Sequence, residues 1–382
     1  MPKTFRTLIL AALTAASVLL APGPSLAQPP QREWKLVSWS STLGSQSSSS
    51  EIMYGLKSFM AFLNANGGIG GRELQLYTLD IDDSSQDFTK NLDALVIQGK
   101  PDLVVGGASQ LHAGQTAEYF RRVARPWFGP WSGDPTAYFG REDDPVGIIP
   151  ATHVQISMLF EHVKAKMQPG KTVYFVYRES PRAAQLAGLA EAEARSLGLV
   201  LRPVRLSLYF RDWESLKSSM PNAGAVVLWT APGPAAAIRR SLDHELGPDC
   251  IWMTHALNPT GRELMGLTGG LWAGTVFPSV LLPSGEIPEA YSLVLGKYAL
   301  PGLRTGYRSY MGFTQGQLLT KAIGLADDRQ ESSPGGVLRA LKDISTSGSL
   351  YKGQKLPANS GDPAGAYLAV ADSADGWRPA EP

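Results

Sequence analysis

The sequence predicts an α/β protein made of two lobes, each a doubly wound parallel sheet. From Trp34 onward, short β-rich runs alternate with longer segments of helical period, which is typical of βαβ units in a parallel sheet. This alternation is interrupted over 126–150, which holds five prolines, and it restarts at Thr152. The chain is 382 residues long, enough for two or three domains at roughly 100 to 200 residues each. We therefore interpret 126–150 as a crossover between two sheets.

Each strand of this pattern is short and apolar, and each helix is longer and periodic. The predicted strands are 35–39, 74–80, 103–106, 173–177, 199–205, 225–229, 251–253 and 271–276. The predicted helices are 49–64, 85–98, 113–123, 152–166, 182–197, 213–220 and 234–246. The glycine block 67–71 ends the first helix, because glycine adopts positive φ without strain. Helical pattern resumes at Tyr310, a last strand is predicted at 366–371, and 372–382 is predicted to be a loose tail.

Residues 1–27 have the features of a cleavable signal peptide. Lys3 and Arg6 precede an apolar stretch over 8–20, and the small residues Ser25 and Ala27 follow it. The stretch is shorter than the roughly 20 residues that span a bilayer. We expect cleavage after Ala27, export to the periplasm and no direct membrane insertion. A membrane-anchored N-terminal helix is the alternative.

Composition and motifs exclude several classes of function. Lys and Arg number 35 against 34 for Asp and Glu, so a net charge of +1 leaves no basic excess for nucleic acid. Cys250 is the single cysteine and the histidines lie apart, so we expect no disulfide, no metal site and no cofactor. The glycine block 67–71 follows a helix and not a strand, which indicates a turn and not a nucleotide loop. No Gly-x-Ser-x-Gly, Walker A or His-Glu-x-x-His motif occurs, so no catalytic residue is predicted.

Two segments of the first half are candidates for ligand binding. At 103–112 a buried-type strand ends in small residues before a helix, and ligands gather at the carboxyl ends of parallel strands. Ser109 would lie at the start of that helix, where free N–H groups favour an anion; an ordinary N-cap serine is the alternative. After the next strand, Trp131 is a candidate apolar wall, while Ser132 and the Gly133 backbone are candidate hydrogen-bond partners. The alternative is that Trp131 packs only against its own lobe.

The second half has three comparable strand ends, at 177–182, 229–232 and 253–256. Tyr177, Thr230 and His255 can donate or accept hydrogen bonds there, and the ordinary pKa of histidine allows His255 to carry charge near neutral pH. A purely structural role is the alternative for each of them.

Five segments carry a resemblance to a known family. They are 43–44, 64–74 with Asp80 beyond it, 125–133, 274–280 and 309–313. Because they occur in the same order, the chain over 34–371 resembles an extracytoplasmic solute-binding protein of the branched-chain amino acid transport class. The resemblance implies a type I periplasmic binding fold, with two lobes joined by a three-strand hinge. It also implies a first lobe of 33–148 plus 277–345 and a second of 149–276 plus 346–371.

The resemblance further implies where a small ligand binds. Ser109 resembles a serine whose hydroxyl meets a ligand carboxylate, and the segment of Trp131, Ser132 and Gly133 contacts the same head group. Ser180, Thr230 and His255 complete the site from the second lobe. Amino-acid binders of this class commonly have an acidic residue near His255 and an aromatic one near Ser180, and this chain has neither. The sequence therefore leaves two ligand classes open: an amino-acid-like compound, and a carboxylate, amide or aromatic compound without an ammonium group.

On this resemblance we expect non-catalytic capture of a small solute by a monomer, followed by delivery to an ABC permease in the membrane. A sensing subunit that presents its ligand to a signalling receptor is an alternative that the sequence leaves open. An exported enzyme is a third alternative. His112 lies three residues after Ser109, but no acidic residue stands nearby to orient it.

Overall fold

The computed structural model describes residues 33–40, 49–82, 85–107, 112–137, 141–180, 182–207, 210–213, 215–258, 261–299, 305–347, 366–373 and 376–381. The predicted signal peptide over 1–27 lies outside these residues. Within this described part of the chain, no helix is both long and apolar enough to cross a membrane.

The first sheet has four strands, all parallel, in the order β2-β1-β3-β4. Its strands are β1 Trp34–Ser40, β2 Leu74–Asp80, β3 Leu103–Val105 and β4 Trp127–Phe128. The helices that alternate with them are α1 Ser49–Ala65, α2 Phe88–Gly99 and α3 Ala113–Arg122. The predicted alternation of strand and helix is confirmed here, with strand ends within a few residues of those predicted.

The second sheet has seven strands in the order β11-β10-β9-β8-β7-β5-β6. Its strands are β5 Thr172–Arg178, β6 Val200–Leu206, β7 Ala223–Trp229, β8 Ile251–Thr254, β9 Val276–Ser279, β10 Tyr367–Ala371 and β11 Trp377–Pro379. The remaining helices are α4 Thr152–Lys166, α5 Ala183–Ser196, α6 Leu216–Ser219, α7 Pro232–Leu246, α8 Arg262–Thr268, α9 Glu289–Tyr298, α10 Tyr307–Asp328 and α11 Pro334–Ser347. Strands β5 to β9 pair in parallel, whereas β10 and β11 add an antiparallel edge.

Both sheets are covered by helices on both faces, which makes each of the two lobes doubly wound. In β1, Leu36 belongs to the apolar cluster that includes α1, while Val37 belongs to the cluster that includes α2 and α3. The neighbouring β3 has three apolar residues in a row and all are fully buried. A strand that is covered on both faces has no position for a polar side chain, which explains the unbroken apolar run that predicted it.

Helices α1 and α10 cross at close range beside the first sheet. A Cβ at Gly55 would lie 2.0 Å from the carbonyl oxygen of Ser309, and one at Gly312 would lie 1.9 Å from that of Ile52. Neither position has room for a methyl group, so the two backbones can approach only because both residues are glycine. This crossing places the start of α10, which includes Arg308, close to the start of α1.

Two sequence-based predictions are corrected by the structure. The predicted strand over 271–276 has the wrong bounds, since the strand begins only at Val276. Gly269, Gly270 and Gly274 take positive φ, which is typical of turns and not of strands. The loose tail predicted for 372–382 is wrong for 376–381. Strand β11 pairs with β10, and Trp377 is buried with its indole N–H donating to the Leu282 carbonyl at 2.9 Å. The bounds of the two lobes stay a prediction.

Candidate functional site

The carboxyl ends of the first sheet bring Trp131 onto the glycines that follow β3. The backbone N–H of Trp131 donates to the Gly107 carbonyl at 3.0 Å, and a Cβ at Gly106 would lie 2.5 Å from the indole. The indole N–H donates to Gln315 Oε1 on α10 at 2.9 Å, and the side chain is 1 % exposed. Trp131 is thus held rigidly across the end of β3. Ser109 lies outside the described residues.

The two residues after Trp131 are fastened to the start of α4. The Gly133 carbonyl accepts from the backbone N–H and the hydroxyl of Thr152, at 2.6 and 2.9 Å. A Cβ at Gly133 would lie 2.5 Å from the Pro150 carbonyl, so glycine is required there. Ser132 is buried, and its Oγ accepts from the backbone N–H of Asp134 at 3.2 Å. This segment therefore presents its backbone in a fixed position.

Asp134 extends this segment to the second lobe. Its carboxylate accepts from the backbone N–H and the hydroxyl of Thr136, at 2.9 and 2.8 Å, and also forms an ion pair with Arg182. Arg182 donates in addition to Thr136 Oγ1 at 2.6 Å. Thr136 packs on α3 beside the first sheet, whereas Arg182 lies at the start of α5 in the second lobe, two residues after Ser180. The ion pair therefore joins the two predicted halves of the site.

Thr230 and His255 are brought together at the adjacent ends of β7 and β8. His255 Nε2 lies 3.2 Å from the Thr230 carbonyl, and His255 Nδ1 accepts from the backbone N–H of Leu257 at 3.3 Å. The Thr230 hydroxyl is buried and donates to the Ala231 carbonyl at 3.3 Å. Ser180 is partly buried, and its carbonyl caps α5 by accepting from Ala183 N–H at 3.0 Å.

His255 is neutral at pH 7, which corrects the prediction that it can be charged there. Burial is the main cause that lowers its pKa, to about 4, and the positive charge of Arg308 adds to this shift, while the hydrogen bond to Thr230 opposes it. Since Nδ1 accepts a hydrogen bond, the ring proton lies on Nε2. Both ring nitrogens are thus occupied, and His255 presents the face of its ring.

Arg308 is a site residue that the sequence analysis missed. From the second position of α10, its Nε and Nη2 donate to the Leu257 carbonyl at 3.3 and 3.2 Å, and Nη1 lies 3.3 Å from Glu51. Its side chain is 2 % exposed. Arg182 was missed as well, because its partner stands 48 positions away. One signal for Arg308 was available: it is an arginine at the start of a helix whose following residues are nearly all buried.

The described residues include no group of His, Cys, Asp and Glu side chains that could hold a metal ion. Cys250 is buried, and burial raises the pKa of its thiol to about 12. A thiol with so high a pKa is a poor nucleophile at neutral pH.

Two α/β lobes that are connected near their strand ends by the Asp134–Arg182 ion pair are typical of two-lobed binding proteins. The sequence profile of the periplasmic binding protein family matches residues 37–371, and the chain belongs to that family. A search of the curated proteins finds no match.

Solved structures of this class share the fold at low sequence identity. A fatty acid ABC transporter substrate-binding protein from Thermomonospora curvata is 14% identical with a TM-score of 0.76, covering 92% of each chain. A branched chain amino acid ABC transporter from Thermus thermophilus with bound valine is 16% identical with a TM-score of 0.76, covering 92% of this chain and 96% of that one. A possible leucine/isoleucine/valine-binding protein from Rhodopirellula baltica SH 1 is 17% identical with a TM-score of 0.75, covering 93% and 98%.

Proposed function

We propose that this protein is a periplasmic solute-binding protein that captures a small carboxylate, amide or amino-acid-like ligand between its lobes. It then delivers the ligand to an ABC permease in the membrane. One observation carries the proposal: the Asp134–Arg182 ion pair connects the Trp131 to Gly133 segment of the first lobe to the start of α5 in the second. This contact supports a shared ligand site at the strand ends, because open α/β sheets bind ligands at the carboxyl ends of their strands.

The mechanism is closure of two lobes around the solute. A ligand that contacts both lobes binds the closed form more tightly than the open form, and this difference in affinity shifts the population towards closure. The permease then recognises the closed form. The proposed ligand residues are Ser109, Trp131, Ser132, Gly133, Ser180, Thr230 and His255. A monomer, exported by cleavage after Ala27, is sufficient for this shuttle.

The names of the structural neighbours support the transport class without narrowing the ligand. One neighbour contains valine and another is a fatty acid ABC transporter substrate-binding protein. Because such different solutes occur on one fold, the ligand of this chain has to be argued from its own residues.

An exported enzyme receives no support from the described residues. His112 was the candidate base, and its Nδ1 lies 3.1 Å from Gln115 Oε1 while its ring stacks on Phe88 with centroids 5.0 Å apart. A general base needs an acceptor nitrogen directed at a nucleophile, and the contacts of this ring within the described residues are with Gln115 and Phe88, neither of which is a nucleophile.

The test is a thermal-shift screen of the purified mature protein with amino acids, short carboxylates, amides and aromatic acids, followed by native mass spectrometry of protein from its host. We expect at least one compound to raise the melting temperature and to appear bound at unit stoichiometry. A folded protein that no compound stabilises and that carries no co-purified solute would contradict the proposal. Co-purification with a signalling receptor in place of a permease would favour the sensing alternative.

A further inference from the structure

An aromatic surface lies at the carboxyl ends of two adjacent strands of the second lobe. Trp229 ends β7, and the register of β7 and β8 places it beside His255. The two rings are 5.3 Å apart between centroids and tilted by 37°. Both side chains are partly exposed, although their neighbours along each strand are fully buried. The ring of Phe175 on β5 packs against the ring of Trp229, with the centroids 5.7 Å apart. Trp229 and His255 together are called the aromatic wall below.

The histidine of the aromatic wall has no free polar group to offer a ligand. His255 is uncharged at neutral pH, and both of its ring nitrogens already make hydrogen bonds within the loop. What remains accessible is the ring face, which a flat apolar body can cover. A small hydrogen-bonding solute would therefore gain little from His255.

Among the described residues, the carboxylates at the start of α1 and at the neighbouring strand ends already have partners. The segments 229–232 and 254–258, which follow β7 and β8, contain no Asp or Glu. Glu51, near the start of α1, pairs with Arg308. After the neighbouring strands, Asp134 pairs with Arg182 and Glu179 pairs with Arg205. The aspartates at the end of the outer strand β2, Asp80 and Asp82, are engaged as well. A ligand ammonium that paired with Glu51 or Asp134 would have to displace a partly or fully buried arginine, which is costly.

The positive charges of the second lobe favour an anion. Arg178 ends β5 one residue after Tyr177, which pairs with Trp229, and the pKa of Arg178 is lowered by burial and by the charge of the nearby Arg211. Guanidinium groups that raise one another's energy are relieved when a carboxylate enters the same space.

We propose that the solute is an aromatic carboxylate without an ammonium group, whose ring lies on Trp229 and His255. This inference rests on the proposed function, because it names the ligand class of that same cleft. Trp229 is then the residue that determines the preference for a flat ring, and Arg178 is the residue that determines the preference for a negative charge.

The experiment compares matched ligands by titration calorimetry. The probes are benzoate, cinnamate and 3-phenylpropanoate, with phenylalanine as the ammonium-bearing match of 3-phenylpropanoate and 3-cyclohexylpropanoate as its non-planar match. We expect at least one aromatic acid to bind, and phenylalanine to bind at least about tenfold more weakly than 3-phenylpropanoate. The cyclohexyl compound should also bind more weakly than 3-phenylpropanoate, because it cannot stack.

A variant pair tests the aromatic wall itself. Trp229→Leu keeps an apolar side chain but removes the ring, and affinity for the best aromatic acid should fall by about two- to twelvefold. Tyr298→Leu is the matched control, because Tyr298 is also a partly buried aromatic residue but packs on Phe62 near the far end of α1. Its affinity should change less than twofold, and circular dichroism and melting temperature should confirm that both variants fold.

The outcomes separate this inference from the proposed function. Binding of phenylalanine or leucine without binding of any aromatic acid would overturn the inference and leave solute binding intact. Equal affinities of wild type and Trp229→Leu for an aromatic acid would also overturn it. A folded protein that binds none of these probes and no compound of the wider screen would overturn both.

Discussion

Arg182 and Asp134 form an ion pair that joins the start of α5 in the second lobe to the segment that follows β4 in the first. Their side chains are 26% and 13% exposed, so the pair is partly shielded from water. Because Asp134 also accepts from Thr136, the carboxylate is held in one position before the arginine reaches it. The pair is suited to hold the lobes together.

Removal of this pair should open the cleft. We expect Arg182→Gln and Asp134→Asn each to increase the radius of gyration of the ligand-free protein in small-angle X-ray scattering. A double-mutant cycle by urea unfolding should give a coupling of about 1 kcal/mol between them. The control pair is Lys217 and Glu245, which is exposed and lies within the second lobe. Scattering from its variants should match wild type, and a wild-type profile for Arg182→Gln would show that the ion pair does not restrain the lobes.

Arg308 should be important for stability. Its guanidinium is almost fully buried and donates to the Leu257 carbonyl while facing Glu51. Arg308→Met leaves that carbonyl without its donor, so we expect a loss of about 3 kcal/mol in the free energy of unfolding. Arg329→Met removes an exposed pair with Asp343 and should change stability by less than about 0.5 kcal/mol. Equal effects of the two substitutions in urea melts would refute this role for Arg308.

The crossing of α1 and α10 should tolerate no added methyl group. In Gly312→Ala the new Cβ would lie 1.9 Å from the Ile52 carbonyl oxygen, so the helices must separate, at a cost of about 1 to 3 kcal/mol or more. Gly324 is in the same helix, and a methyl group added there would meet no atom within 4 Å beyond its chain neighbours and the adjacent helix backbone, so Gly324→Ala should stabilise by about 0.5 to 1 kcal/mol. Opposite shifts in melting temperature are expected, and a shared direction would argue against the close crossing.

Acid should destabilise the protein through His255. The unfolded chain takes up a proton near pH 6.5, whereas the folded chain does so only near pH 4, so the unfolded state binds more protons between these values. The stabilisation is present in full above about pH 6.5 and is lost as the pH falls towards 4. Unfolding free energies of His255→Gln should therefore fall less over this range than those of wild type. His153→Gln changes an exposed histidine, and its profile should follow wild type.

Strand β11 should contribute to the stability of the second sheet. Trp377 is 1 % exposed and bonded to Leu282, so Trp377→Ala should lower the free energy of unfolding by about 3 to 5 kcal/mol. Arg378 is exposed on the same strand, and Arg378→Ala should change it by less than about 0.5 kcal/mol. If 372–382 were a loose tail, both variants would melt like wild type.

Much of the fold could be predicted from local pattern. Helix α4 spans Thr152–Lys166, the same range that its periodicity predicts, and β2 spans Leu74–Asp80, again as predicted. In both cases the signal lies within a few turns or a few alternating residues. Strand β11 was missed because Trp377–Pro379 is too short to show a period, and its pairing with β10 supplies the order.

The candidate site also contains residues that local pattern predicts and residues that it does not predict. Trp131, Ser132, Gly133, Thr230 and His255 follow directly from strand ends, because a parallel sheet puts its carboxyl ends at one edge. Arg182 and Arg308 could not be predicted in this way, because their partners Asp134 and Leu257 stand 48 and 51 positions away in the sequence. No local spacing encodes such a pair.

The sequence by itself determined the alternation of strands and helices and the residues that follow the strand ends. These properties depend on the hydrophobic period and turn chemistry of neighbouring residues. Only the tertiary structure decided that His255 is neutral, that Arg308 is buried against Leu257 and that Arg182 bridges the lobes. Charge state and ion pairing depend on desolvation and on distances between residues far apart in the chain, and folding alone sets both.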